Sequence, residues 1–394
     1  MADHSQIEWT DATWNPITGC SVVSPGCTNC YAMGLAGTRL KHHPSRAGLT
    51  RETKAGPVWT GEVRLNEQWL TQPLSWRKPR MIFVCAHGDL FHESVPDEWI
   101  DRVFAVMALA PQHTFQVLTK RSARMRAYLA ERGSRRRDRA DAVNVAAANM
   151  IMEGLIAPCK AVAWPLPNVW LGVSAEDQRH ADERVPDLLA SPAAVRFVSA
   201  EPLLGPIDFN RIDVATWLDS YAKSPRERSE HDPDMRWPLL APFEHMASGY
   251  SSPGLDWIIV GGESGAGARP MHPDWARSIR DQCAAAGVPF FFKQWGSWKP
   301  ICAMADGECD ELYERPPAEH PDASRRCKVP ALVFDRDGAR FDLDCWSRIA
   351  RSSTTDRPPF WNGFGSMTMF DVGKKAAGRL LDGIEHNALP GARP

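Results

Sequence analysis

The sequence predicts an α/β protein: a partial or complete (β/α) barrel of the TIM type, with helical and loop insertions and a small C-terminal extension. Three observations predict it. First, six short apolar runs are each bounded by turn or charged residues: MIFVCA (81–86), TFQVLT (114–119), VWLGVS (169–174), VRFVSA (195–200), DWIIVGG (256–262) and PFFFKQW (289–295). Continuous apolar runs of that length suit strands of a parallel sheet covered on both faces. Second, helical patterns lie between several of them, at 96–110, 181–190 and 272–287, the last closed by a glycine where a helix C-cap favours one. Strand, helix and strand in repetition give right-handed crossovers. Third, polar residues and glycines follow each run. A barrel brings all those strand ends to one mouth, whereas a doubly wound open sheet, the competing architecture, gathers only the few at its switch point.

In chain order, a further short strand through ATWNPITG (12–19) delivers a cysteine-containing loop. His87, Gly88 and Asp89 follow the next strand, and Thr119, Lys120 and Arg121 the one after. Ser174 and Glu176, then Ser199 and Glu201, end two successive strands in the same tetrapeptide, VSAE. Gly261, Gly262, Glu263 and Ser264 follow the 256–262 run, and Lys293, Gln294 and Trp295 the last. The barrel spans 1–299. Insertions fall at about 131–166, opening with the basic run RGSRRRDR (132–139), and at about 206–254, a polar stretch with several prolines. The extension covers 300–394, with a hairpin expected around Asp337-Gly338 and a Gly-rich, then helical, segment at 363–383.

The chain has 394 residues, 43% of them apolar, enough to bury a large core. Lys and Arg (46) nearly balance Asp and Glu (48), so no global field steers the chain toward nucleic acid or membrane, and any such surface must be local. No apolar run reaches the length of a membrane span, and the first residues lack a signal-peptide pattern, so a cytoplasmic protein is expected. In a reducing compartment ten cysteines are thiols or metal ligands. Seven are scattered without ligand spacing. No G-x-S-x-G elbow occurs.

Cys20, Cys27 and Cys30 lie within eleven residues, with Gly19 and Gly26 permitting tight turns. Structural zinc takes four Cys or His ligands, so His42 or His43 would have to complete a Cys3His set. The other use of three thiols is a four-iron cluster, where the missing fourth ligand leaves one iron open to bind a substrate or cofactor. Spacing alone leaves both open, as well as thiols with no metal.

The loop resembles that of the radical S-adenosylmethionine (SAM) enzymes, although their commonest spacing is C-x3-C-x2-C and this chain has C-x6-C-x2-C, with Asn29 where an aromatic is usual. More broadly, IEWTDATWNPITGC…SPGCTNCYA, GDLFHESVP, LTKR, GVSAED, SAEPLLGPI, IIVGGESG.GARP, FFFKQWG and KKAAGRLLDG resemble an uncharacterised, phage-associated three-Cys-motif family over about residues 7–386. The resemblance implies a radical-SAM-like barrel in which Cys20, Cys27 and Cys30 hold a [4Fe-4S] cluster whose open iron chelates SAM. An external electron donor would reduce it, giving a 5′-deoxyadenosyl radical for hydrogen abstraction. Tyr31 would pack beside the cluster and Asp89 would meet the SAM amino group.

In that frame Ser174, Gly261, Gly262, Glu263 and Ser264 are further cofactor contacts. Lys120, Arg121, Arg269, Gln294 and Trp295 are expected to bind substrate, and Glu176, Glu201 and Lys293 to do acid–base work. The basic loop and the strand-end cations suggest a nucleic-acid base or nucleotide as substrate. Two rival readings are a zinc-stabilised nucleic-acid-binding or processing protein and a metal-independent barrel hydrolase using a pair among Glu176, Glu201 and Glu263.

Overall fold

The computed structural model describes residues 5–130, 138–155, 164–214, 236–245, 250–314, 326–342 and 365–391. Its centre is one seven-stranded sheet: β1 (Ala12–Trp14), β2 (Met81–Val84), β3 (Thr114–Thr119), β4 (Val169–Ser174), β5 (Val195–Ala200), β6 (Trp257–Gly261) and β7 (Phe290–Gln294). Every neighbouring pair is parallel and the spatial order is the chain order. That order decides between the two expected architectures. A doubly wound sheet needs a reversal of strand order, and here there is none. Successive right-handed crossovers stack every connection on one face, and the sheet curls around the other. The result is a half-barrel whose edges are β1 and β7.

Side-chain alternation makes the two faces distinct. Ile82, Val84, Phe115, Val117, Leu171, Val173, Val198, Ala200, Ile258, Val260, Phe290 and Phe292 belong to the large core shared with the helices. Phe83, Phe197, Trp257, Ile259 and Phe291 point the other way and, with Trp9, fill the concave face. Their rings pack closely, with Trp9 and Phe83 centroids 4.9 Å apart.

The helical layer includes α1 (Tyr31–Gly37), α2 (Asp97–Leu109), α3 (Ser122–Leu129), α4 (Asp138–Met152), α5 (Gln178–Leu189) and α6 (Pro273–Ala286). Asp177 caps α5 by accepting from the His180 amide. In α6, Pro273 stands at the first turn and Gly287 closes the helix in the left-handed conformation (φ 69°). The basic run at 132–139 lies outside the described residues apart from the backbone of the first turn of α4. No described helix is long and apolar enough to cross a membrane.

The C-terminal part departs from expectation in one place. Where the sequence predicts a Gly-rich and then helical segment at 363–383, it forms β11 (Met367–Asp371) followed by one short helical turn, α7 (Lys374–Ala377). MTMFD pairs with both β8 (Trp298–Pro300) and β9 (Ala331–Phe334), and Gly373 and Gly378, both at positive φ, bracket the turn and stop it propagating. The expected hairpin is present, with β9 antiparallel to β10 (Arg340–Asp342). Beyond α7 the chain runs along β7: the Phe292 amide donates to the His386 carbonyl (2.9 Å), and Phe291 bridges Asn387. The outer edge of the half-barrel is thereby covered.

Candidate functional site: a three-cysteine loop over the barrel mouth

The loop from Gly19 to Cys30 leaves β1 and crosses the C-terminal ends of the other strands. Pro25–Cys27 form a short 3-10 turn, and Cys30 is the N-cap residue of α1. Three strand ends hold it, each through a carboxylate matched with a cation.

At the end of β3, Arg121 is buried. It donates to Asp89 (3.0 Å), to Glu93 (2.8 Å) and to the Ser21 hydroxyl (2.7 Å), and its Nη1 lies 3.5 Å from Cys20 Sγ. Asp89 also accepts from the Phe91 and Lys120 amides and the Thr119 hydroxyl, so both its oxygens are occupied.

Beyond β4, Glu176 is fully buried beneath the loop. It accepts from Ser24 (2.6 Å), Lys120 (2.8 Å) and Arg184 of α5 (3.0 Å). Burial alone would raise this carboxyl, but Lys120 and Arg184 outweigh it and hold the pKa at about 2. Gly26 rests directly on Glu176: a Cβ there would come within 2.2 Å of Oε1.

After β6, Glu263 accepts from Arg269 (2.8 Å) and Asn29 (2.9 Å), while Arg269 also donates to the Pro25 carbonyl (2.9 Å). Burial opposes ionisation of Glu263, and these donors overcome it to lower its pKa.

Between loop and strand ends lies a cavity of about 500 Å³. All three loop cysteines line it, joined by Asp89, Lys120, Arg121 and Ser174 from the first strands. Glu201, Gly262, Glu263, Ser264, Lys293 and Gln294 complete the predicted residues on its wall. Ser174 and Ser199 stand in register on β4 and β5, as the repeated tetrapeptide suggested. Glu201 and Lys293 form an ion pair across the mouth (3.0 Å), with the Ser199 hydroxyl donating to Glu201. Neither touches the loop. Gly261 leaves the space this pair needs, since a Cβ there would meet Glu201 Oε1 at 2.4 Å.

Four predicted residues are not on the wall. Glu176 and Arg269 sit behind the loop, and Gly261 sits behind Glu201. Trp295 turns away from the mouth into the core, its indole N–H donating to the Leu380 carbonyl. A register shift between Val260 and Gly261 sets Gly261 opposite Gln294 and places Gln294 on the wall next to Lys293. The sequence reading did not single out Ser21, Ser24, Glu93 or Arg184. None sits in a recognisable spacing pattern, and their roles arise only from where the loop lands.

The three thiols of the loop line one cavity. Burial, reinforced by Asp89, pushes Cys20 up to about 12 despite Arg121, and burial likewise raises Cys30. Such thiols ionise when a metal centre compensates the charge. A Cys3His zinc set would need His42 or His43. His43 instead bonds Ser45 (2.7 Å) and stacks on Trp69, and neither histidine lines the cavity. Among the described residues no group of three or more His, Cys, Asp or Glu converges to hold one metal ion.

A family model matches residues 4–390, nearly the whole chain. The chain belongs to the DUF5131 family, proteins of unknown function. No curated protein and no solved structure matches it. The clamped loop and the cavity described above are therefore features of a DUF5131 member.

Proposed function

We propose that this protein is an iron–sulfur enzyme of the radical SAM type. The observation that carries the reading is the placement of three thiols from one loop, facing one cavity at the C-terminal mouth of a parallel half-barrel. Mouths of this kind are where α/β barrels hold their reacting groups. When bound, a four-iron cluster with one open iron and SAM would supply reductive cleavage of the cofactor and a 5′-deoxyadenosyl radical, with the electron coming from an external donor.

The chain's own residues do the positioning. Cys20, Cys27 and Cys30 would hold the cluster. Arg121 fixes the loop at Ser21 and brings a cation to Cys20. Asp89 is spent on Arg121 and the end of β3, so its role is to hold that cation rather than to meet a ligand amine. Glu176 and Glu263 fix the middle and end of the loop. Ser174, Glu201, Lys293 and Gln294 face the open volume and contact what enters it.

Anaerobic reconstitution with iron and sulfide tests this. The wild type is expected to bind about four irons and, when reduced, to give an EPR signal that changes on adding SAM. The Cys20→Ala, Cys27→Ala, Cys30→Ala triple variant should stay colourless. A wild type that loads zinc and no iron, or a reduced cluster indifferent to SAM, refutes the proposal.

A further inference from the structure

Each cation on the cavity wall is already matched by a carboxylate. Lys120 is paired with Glu176 (2.8 Å), Arg121 with Asp89 (3.0 Å) and Glu93 (2.8 Å), Lys293 with Glu201 (3.0 Å), and Lys374 with Glu8 at the rim (3.5 Å). The remaining wall carboxylate, Glu263, is held by Arg269. Thiolate ligation at the loop would add negative charge to this balanced set. A phosphate entering here would find no unpaired cation among the described wall residues; at Lys120, Arg121 and Lys293 it would have to break a buried or half-buried pair, and the exposed Lys374–Glu8 pair lies only at the rim.

The rest of the wall is neutral. It is mostly apolar, with Ile7, Trp9, Trp59, Phe83 and Leu118 contributing. Tyr31 is half exposed, and its hydroxyl is tied to the Ala86 carbonyl (2.7 Å), so its ring is held in place before any ligand arrives. Such a fixed ring is a stacking surface for a planar partner. Glu201 and Lys293 stand side by side on the wall as an acceptor and a donor. The recognition the wall offers is thus that for an uncharged ring that stacks and meets one acceptor and one donor.

We infer that the cavity takes an uncharged heteroaromatic substrate, a nucleoside or free base, and discriminates against its phosphorylated form. The inference rests on the cavity being the ligand site of the proposed enzyme. It narrows the substrate from nucleotides and nucleic-acid strands to the unphosphorylated unit.

Calorimetric titration of the full chain tests it, with thymidine, cytidine and guanosine and the 5′-monophosphate of each as probes. Adenosine is left out because SAM carries it. At least one nucleoside should bind, its monophosphate should bind about tenfold more weakly or worse, and S-adenosylhomocysteine should not displace it. Glu201→Gln, which releases Lys293, should narrow that gap, and Lys293→Met, which leaves Glu201 unopposed, should widen it. Either variant suffices if the other fails to fold. Absence of nucleoside binding, a monophosphate that binds as well or better, displacement by S-adenosylhomocysteine, or a folded variant with an unchanged gap overturns the inference. Iron loading is read separately. Nucleoside binding without a cluster defeats the cluster reading alone, and a SAM-responsive cluster without nucleoside binding defeats this one alone.

Discussion

Replacing Glu176 by Gln removes the charge at the centre of the middle clamp while keeping the side chain's shape. In the folded protein the carboxyl titrates at about 2 against an ordinary 4.5. A difference of about 2.5 units, at 1.36 kcal/mol each, is worth about 3 kcal/mol of stability. Cutting one partner out of a buried pair gives a similar figure, about 3–5 kcal/mol, because Lys120 and Arg184 are left with uncompensated charge. Because the folded pKa is depressed, this contribution is fully present above pH 4.5 and is lost as pH falls through 2. Urea denaturation of wild type and Glu176→Gln at pH 7 should therefore differ by about 3 kcal/mol, and the two curves should converge between pH 4.5 and 2. A difference below about 1 kcal/mol at pH 7, or one that stays constant down to pH 2, refutes the assignment of Glu176 as an ionised buried clamp.

Gly26→Ala forces a methyl onto the Glu176 carboxylate, so iron loading should fall several-fold and the melting temperature should fall with it; equal loading at an unchanged melting temperature would show that the loop yields freely. Arg121→Met removes the link between Asp89, Glu93 and Ser21. It should lower stability by about 3 kcal/mol in urea and shift the midpoint potential of any reconstituted cluster downward, measured by EPR-monitored titration. Removing residues 379–394 strips the cover from β7, and light scattering should report aggregation absent from the full chain. A monodisperse truncated protein would show that the edge needs no cover.

The half-barrel was legible because strands buried on both faces announce themselves as unbroken apolar runs. All six longer runs match strands to within two residues at either end, three of them residue for residue, and the largest overshoot is into Cys85 and Ala86. The convergence of strand ends followed from topology and needed no side-chain detail. What each polar residue does at those ends was not legible. Glu176, Arg269 and Arg121 read as groups for a ligand, and each also spends a hydrogen bond on the loop, at Ser24, Pro25 and Ser21. A sequence carries no sign of which carboxylate will lie under a loop that arrives from 150 residues away. Trp295 illustrates another limit: a single register shift changes which face a strand-end residue occupies. The strand missed at Met367–Asp371 reflects glycines that punctuate both helices and strands, with the pairing partners of MTMFD far off in sequence.

The cover on β7 comes from residues near 386, long after the strand itself has been synthesised. On a ribosome, Phe290–Gln294 would therefore emerge as a bare, apolar, hydrogen-bonding edge and stay so while the C-terminal sheet is still being made. The barrel mouth, with its cysteine loop already clamped by β3, β4 and β6, can assemble earlier. Placement of the cysteine loop is thus separable in time from completion of the fold. The nascent protein passes through a stage in which that loop is seated and its flank is still open to the wrong partner.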